Sequence, residues 1–211
     1  MDYSATLNAD STSEHDPVEQ RGAPRYASLI RAAKLVCGQG EFICVIRDVS
    51  ATGVSLRTFH ALPQEQQIAL ELQNGETYDI EEVRREGFEA SYRFKDAIEV
   101  DKLIQETWNF PKRQLRLNIA LPLTISSLSG SGDATTVNLS QQGARVECDA
   151  AFAIDQTLKV TGSAFPDTRA KVRWRRDSHY GLVFDNTLSL RQFALLAASV
   201  QCPSMLDDMP A

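Results

Sequence analysis

The chain repeats itself. At a fixed offset of 90 residues, Asp48, Ser50 and Gly53 fall on Asn138, Ser140 and Gly143, Ile68 and Leu70 on Leu158 and Val160, and Phe94 on Phe184. Agreement over this many chemically matched positions marks a tandem duplication. It constrains the fold more than any other feature, because whatever one half folds into, the other half must also fold into. Two copies do not make a solenoid, so each is expected to close a small core of its own. The repeat has two irregularities. Arg25 maps to Arg116 at an offset of 91, which places a one-residue difference in the first hairpin. The strand around Trp174, Arg169 to Arg176, has no clean partner; its counterpart near Val83 slips by one.

Within a copy the patterning is that of strands. The apolar run Tyr26 to Cys37, the turn Cys37-Gly38-Gln39-Gly40, and Phe42, Cys44 and Ile46 alternating with Ile43 and Val45 predict a hairpin. Val54 to Thr58 follows the polar turn Asp48-Val49-Ser50-Ala51-Thr52-Gly53. After the break at Leu62-Pro63, Ile68, Leu70 and Leu72 alternate through Gln67 to Gln73, and Asn74-Gly75 is the strongest short hairpin signal in the chain. Thr77 to Arg85 and Phe88 to Phe94 complete the set. Short strands at this spacing predict a small barrel rather than an α/β fold, with about six strands per copy.

Each copy then changes period. Asp96 to Trp108 carries apolar residues at helical spacing, with Asp96 as N-cap and Glu99 three residues on, and Asn109-Phe110-Pro111 ends it. The matching segment, Ser189 to Val200, is again amphipathic, with Ser189 as N-cap. The expected fold is therefore mainly all-β: two six-stranded barrels in tandem, each followed by a C-terminal α-helix that plugs its barrel or packs on a neighbouring domain. The expected boundaries are a disordered, polar tail over 1–20, domains over 21–108 and 111–200, and a flexible tail over 201–211.

Composition narrows the function classes. Twenty-two basic against 28 acidic residues give a net charge of -6, unlike the broad basic surface of a general nucleic-acid binder. No apolar run is long enough to cross a bilayer, and Met1 to Asp10 lacks a signal peptide's pattern, so a cytoplasmic protein is expected. Cys37, Cys44, Cys148 and Cys202 lack metal-ligand spacing and read as small buried hydrophobes, although Cys37 and Cys44 can face each other across a hairpin. His15, His60 and His179 bring no nucleophile and base together, so no catalysis is expected. Ser129-Gly130-Ser131-Gly132 lacks the Lys-Ser/Thr of a phosphate loop and reads as a hairpin tip. Trp174, on an apolar-alternating strand, reads as core. Arg173, Arg175 and Arg176 read as a solvated face that can add charge near the second copy's turn.

The repeated polar residues remain. Asp, Ser and Gly in a tight connection have a structural reading, a turn closed by its own side chains with glycine supplying positive φ. Arg21 and Arg25, four apart and just upstream, add a binding reading. Arginine forks suit phosphates and the guanine O6/N7 edge, a carboxylate or amide accepts from guanine nitrogens, serine donates to a phosphate oxygen, and glycine lets a ligand approach. Arg21-x-x-x-Arg25 followed by Asp48-x-Ser50-x-x-Gly53 resembles the signature of the PilZ domain, and so does Lys112-Arg113-Gln114-Leu115-Arg116 followed by Asn138-x-Ser140-x-x-Gly143. The closing segments Ala170 to Trp174 and Gly181 to Phe184 are also similar to that family.

The resemblance implies six-stranded barrels that bind cyclic di-GMP, often as an intercalated dimer, with no cofactor and no chemistry. It also implies output through changed contacts with another domain, a protein partner or a second copy. It carries Arg21, Arg25, Asp48, Ser50 and Gly53 over as the first site, and Lys112, Arg113, Arg116, Asn138, Ser140 and Gly143 as the second. The copies are unequal, because the second offers Lys112, a point charge, where the pattern has an arginine. The other reading open at this stage is a non-binding scaffold with one or both sites silent.

Overall fold

The computed structural model describes residues 26–62, 65, 67–104 and 114–207. The first barrel consists of β1 (Tyr26–Cys37), β2 (Gly40–Val49), β3 (Gly53–Thr58), β4 (Ile68–Glu71), β5 (Thr77–Glu86) and β6 (Glu89–Phe94). The second consists of β7 (Pro122–Ser127), β8 (Gly130–Ser140), β9 (Gly143–Cys148), β10 (Thr157–Thr161), β11 (Thr168–Arg176) and β12 (His179–Phe184). Both are closed, all neighbouring strands are antiparallel, and the orders β1-β2-β3-β6-β5-β4 and β7-β8-β9-β12-β11-β10 are one topology. Helix α1 (Val100–Ile104) follows the first barrel; α2 (Leu190–Gln201) and a short 3-10 turn (Pro203–Leu206) follow the second.

Alternation builds the walls. In β3, Val54, Leu56 and Thr58 are buried while Ser55 and Arg57 face outward, the period of two that a half-buried strand requires. Asn74-Gly75 makes the predicted turn: Gly75 sits at φ +90°, and the Glu76 amide donates to Asn74 Oδ1 at 3.0 Å. Leu128-Ser129 is the tip between β7 and β8, while Gly130, Ser131 and Gly132, expected at the tip, already pair within the hairpin.

The register settles both irregularities of the repeat. Ile80 opposite Phe94 matches Ala170 opposite Phe184, and Arg84 opposite Ser91 matches Trp174 opposite Gly181, all at offset 90. The expected slip near Val83 is therefore absent, and Arg84 is the counterpart of Trp174. The offset of 91 appears where Tyr26 opposes Val49 and Leu117 opposes Leu139. The extra residue of the first copy lies in the β1 irregularity between Ala27 and Arg31, not in the hairpin turn.

There are two cores, as a duplication demands, but each borrows from the other half. Ile43 of the first barrel packs in the second core, together with Phe193, Ala194, Leu196 and Ala197 of α2. Met205, beyond α2, is buried in the first core. The expected loose tail from residue 201 is thus packed at least as far as Met205. Helix α2 has the expected Ser189 cap, with Gln192 completing a capping box. Helix α1 begins only at Val100, not at Asp96. The Ile98 amide donates to Ala51 O at 2.9 Å and holds the preceding chain off helical geometry. The tail over 1–20, Asn109-Phe110-Pro111 and residues 208–211 lie outside the described residues, as do residues 105–108 of the predicted first helix.

A polar joint ties the barrels. Gln201 Nε2 donates to Glu41 O at 2.7 Å, and the Glu41 amide donates to Gln201 Oε1 at 2.9 Å. The Glu41 carboxylate accepts from Asn118 N at 2.7 Å and Asn118 Nδ2 at 2.8 Å, and pairs with Lys34 at 3.2 Å. Lys34 is buried and also reaches Glu71 at 3.0 Å, so its charge is matched on both sides.

All four cysteines are free; Cys44 and Cys148 are buried, while Cys37 and Cys202 are half-buried. Cys44 opposes Ala33 and Cys37 opposes Gly40, so Cys37 and Cys44 do not face each other. Among the described residues no helix is long and apolar enough to cross a membrane.

His60 is fully buried after β3, with its ring edge-on to Phe42 at 5.5 Å and Nδ1 2.6 Å from Ala61 O. Burial pushes its pKa below the usual 6.5, against a smaller upward pull from that carbonyl. The folded state therefore holds it neutral. Its contribution to stability is complete above pH 6.5 and is lost as pH falls through the depressed value. Melting temperature followed against pH should drop below that point, and His60→Asn should flatten this part of the profile.

Candidate functional site

The repeated turn is closed by its serine. In the first barrel the Ser50 amide donates to Gly53 O at 2.8 Å and the Gly53 amide donates to Ser50 Oγ at 3.1 Å. In the second, Ser140 Oγ donates to Gly143 O at 3.0 Å. Both serines are buried, so their hydroxyls shape the turn, where a phosphate contact was also open on sequence. Glycine has a different cause from the one expected. Neither Gly53 nor Gly143 has positive φ. A Cβ on Gly143 would lie 2.1 Å from Leu182 O, and one on Gly53 would lie 3.0 Å from Tyr92 O, so the neighbouring strand's backbone fills the space. The middle of the turn holds the end of the barrel: Phe94 N donates to Thr52 O at 3.0 Å, Phe184 N to Gln142 O at 2.8 Å and Leu188 N to Gln141 O at 2.9 Å.

Two bulges in each barrel aim the residues beside this turn. The β2–β3 register shifts between Ile46 and Asp48, and β8–β9 shifts between Thr136 and Asn138. The β5–β6 register shifts between Glu82 and Arg84, and β11–β12 between Val172 and Trp174. Such an extra residue re-aims the side chains after it. The next rung of the second barrel runs Asn138, Arg145, Gly181, Trp174 across four adjacent strands. The same rung of the first runs Asp48, Ser55, Ser91, Arg84.

These substitutions give the two faces different chemistry. Gly181 leaves room for the Trp174 indole, since a Cβ there would stand 1.9 Å from Nε1. Trp174 is 42% exposed and lines the cleft, which corrects its reading as core. The cleft has a volume of about 790 Å³ and is bounded by Arg116, Asn138, Ser140, Gly143, Arg145 and Arg173 among others. Small-molecule sites span about 300–1,000 Å³. Arg173 reaches Asp155 at 3.7 Å; Arg116 and Arg145 form no ion pair among the described residues. Arg173 thus belongs to the cleft wall and not only to a solvated face, while Arg175 lies over the Tyr180 ring at 5.5 Å.

On the first barrel the corresponding cleft is about 310 Å³, with Asp48, Ser50, Gly53, Ser55, Val83 and Arg93 on its walls. Val83 stands where the second barrel has Arg173, and Ser55 where it has Arg145. Ser55 and Ser91 fill the floor, hydroxyl to hydroxyl at 3.4 Å. The arginines here are engaged: Arg84 with Glu86 at 2.7 Å, Arg85 with Glu82 at 2.5 Å and Arg93 with Glu81 at 3.0 Å.

The structure therefore brings Arg116, Asn138, Ser140 and Gly143 together at one cleft, and Asp48, Ser50 and Gly53 at another. Arg21, Arg25, Lys112 and Arg113 lie outside the described residues, as does His15. Arg145 and Trp174 line the cleft although the sequence did not place them there; the signal for both was the strand register around the bulges. His60 is buried and His179 opens β12. Among the described residues there is no cluster of three or more metal-ligating side chains.

Comparison with known proteins follows the same asymmetry. Residues 111–201 match the model of the PilZ domain, which is the second barrel with α2. No curated protein matches the chain. Solved structures that resemble it include the Borreliella burgdorferi PlzA protein in complex with c-di-GMP, at 12% identity over 82% of this chain and 88% of that one, TM-score 0.34. Others are the Bacillus subtilis inhibitor of motility, MotI/DgrA, at 13% identity over 85% and 98%, TM-score 0.35, and YcgR in complex with c-di-GMP from Escherichia coli, at 11% identity over 78% and 80%, TM-score 0.28. The signature turn, the barrel topology and the match agree over residues 111–201, and that part of the chain is a PilZ domain.

Proposed function

We propose that this chain is a non-enzymatic cytoplasmic receptor for cyclic di-GMP and that its nucleotide site is the cleft of the second barrel. The observation that carries the reading is the rung Asn138–Arg145–Gly181–Trp174 beside Arg116, inside a stretch that matches the PilZ domain. A cyclic dinucleotide offers two phosphates and two guanines. Arg116 and Arg145 supply guanidinium forks for phosphate or the guanine O6/N7 edge, Asn138 supplies an amide, and the indole supplies a stacking face. Lys112 and Arg113 complete the set from upstream, while Ser140 and Gly143 hold the turn in shape. Binding changes the contacts of this domain with its neighbour or with a protein partner.

The first barrel keeps the turn but has the smaller cleft, with Ser55 and Val83 where the second has Arg145 and Arg173. On that ground Arg21, Arg25, Asp48, Ser50 and Gly53 are read as the silent copy, although their sequence pattern is the fuller one. Here the scaffold alternative applies: the first barrel acts by contact, not by binding nucleotide.

Calorimetric titration with cyclic di-GMP tests this directly. Heat of binding is expected, together with a rise in melting temperature. Arg116→Ala should cost about 2 kcal/mol, roughly a thirtyfold loss of affinity, as expected for a charge-assisted contact. Arg25→Ala should leave affinity and stoichiometry unchanged. The absence of heat at tens of micromolar ligand would remove the receptor reading, and a loss confined to Arg25→Ala would move the site to the first barrel.

Trp174 provides a second measurement. Ligand stacked on the indole should change tryptophan emission in the intact chain, and Trp174→Phe should abolish that change while Trp108 continues to emit.

A further inference from the structure

The segment that brings Arg116 to the cleft has little structure of its own. Over residues 115–121, Leu115, Leu117, Ile119 and Leu121 are buried, while Arg116, Asn118 and Ala120 face outward. Its inner side is laced to β8. Leu117 and Leu139 exchange two backbone bonds of 2.9 Å, the Leu121 amide donates to Thr136 Oγ1 at 2.8 Å, and Thr136 Oγ1 donates to Ile119 O. Its outer side is held from the other barrel, by Glu41 on Asn118 N and Nδ2. Arg116 and Asn118 share that outer side, about 6.6 Å apart along an extended chain.

Glu41 is itself fixed. Lys34 holds its carboxylate, and Gln201 holds both of its backbone polar groups. The clamp does not belong to the barrel design, because the repeat lacks it: Ser131 occupies the position of Glu41 in the second copy, and Ala27 that of Asn118 in the first. It is a feature of the joint between the barrels.

We propose that Glu41 of the first barrel is a positioning residue for the second barrel's cleft, holding the lead-in segment so that Arg116 faces the ligand; this rests on reading that cleft as the nucleotide site. A segment outside any strand, laced to β8 only at Leu139 and Thr136, still loses freedom when a ligand fixes it. One already held loses less, and the difference appears as affinity. The first barrel, whose own cleft is the smaller, thereby contributes to binding without touching the nucleotide.

The test combines amide hydrogen exchange of the ligand-free chain with calorimetry against cyclic di-GMP, on the wild type, Glu41→Ala, Asn118→Ala, the double variant and Glu41→Gln. In Glu41→Ala the amides of residues 116–119 should exchange about tenfold faster or more while those of β9 and β12 hold their rates. Affinity should fall about five- to tenfold with stoichiometry unchanged. Asn118→Ala, which leaves Lys34 its full set of partners, should reproduce part of both effects. The double variant should be no weaker than Glu41→Ala alone, the non-additivity of two residues acting through one contact. Glu41→Gln, which keeps an acceptor, should recover most of the loss. Unchanged exchange at 116–119 in both single variants would overturn the proposal, and so would faster exchange with unchanged affinity. A wild type that binds no nucleotide would instead overturn the receptor reading beneath it.

Discussion

In each barrel the carbonyl groups of one polar turn extend the ladder between the third and sixth strands and fix the chain that leaves it. The chain leaves its last strand against that turn, with Phe94 and Ile98 bonded to Thr52 and Ala51, and Phe184 and Leu188 bonded to Gln142 and Gln141. For those carbonyls to face the closing strand, the turn must be tight and must lie directly on the strand's backbone. Serine achieves the first by bonding back to the glycine, and glycine allows the second by having no side chain. A larger residue at Gly143 would have to push the β12 backbone away, and so part β9 from β12. The motif is therefore structural before it is functional. A ligand site beside it inherits a rigid floor, and side chains on rigid elements are the ones that hold a recognition geometry.

Two bulges then determine what faces outward beside the turn. They lie at equivalent places in both barrels, so the backbone offers the same rung twice. The copies have diverged by filling it differently. Asn, Arg, Gly and Trp make an open cationic face with a flat aromatic wall. Asp, Ser, Ser and Arg make a shallow one, whose neighbouring arginines are neutralised by glutamates. The backbone is shared, and a handful of side chains separates a cleft of about 790 Å³ from one of about 310 Å³.

Much of the fold was legible because barrels are local in pattern. Alternation at Val54, Leu56 and Thr58, the turn at Asn74-Gly75 and the cap at Ser189 each depend on residues close together in the chain. What was not legible depends on register, which two strands decide jointly. Trp174 alternates like a core residue in β11, and only its pairing with Gly181 across a bulge shows the indole lying outside. The difference between the two clefts was hidden for the same reason. The linear pattern sets Lys112 against Arg21, whereas the strand register sets Arg145 against Ser55 and Gly181 against Ser91, residues that no linear motif connects. The start of α1 was misplaced because Asp96 and Glu99 meet a local rule that a tertiary bond from Ile98 to Ala51 overrides. Met205 anchors the C-terminal turn in the first core, a contact across most of the chain length that composition cannot reveal.

The amide of Gln201 has one more consequence. Strand β2 runs on past the point where β3 begins to pair with it, at Cys44, and leaves residues 40–43 without a neighbour on that side. An exposed stretch of donors and acceptors is a template on which another chain can add a strand. Gln201 donates to and accepts from Glu41 as a partner strand would, and no Cβ on Gly40 would fit beneath it. The helix that joins the barrels thus also blunts an aggregation-prone edge, and protection against unwanted polymerisation is built into the same contact that sets the domains together.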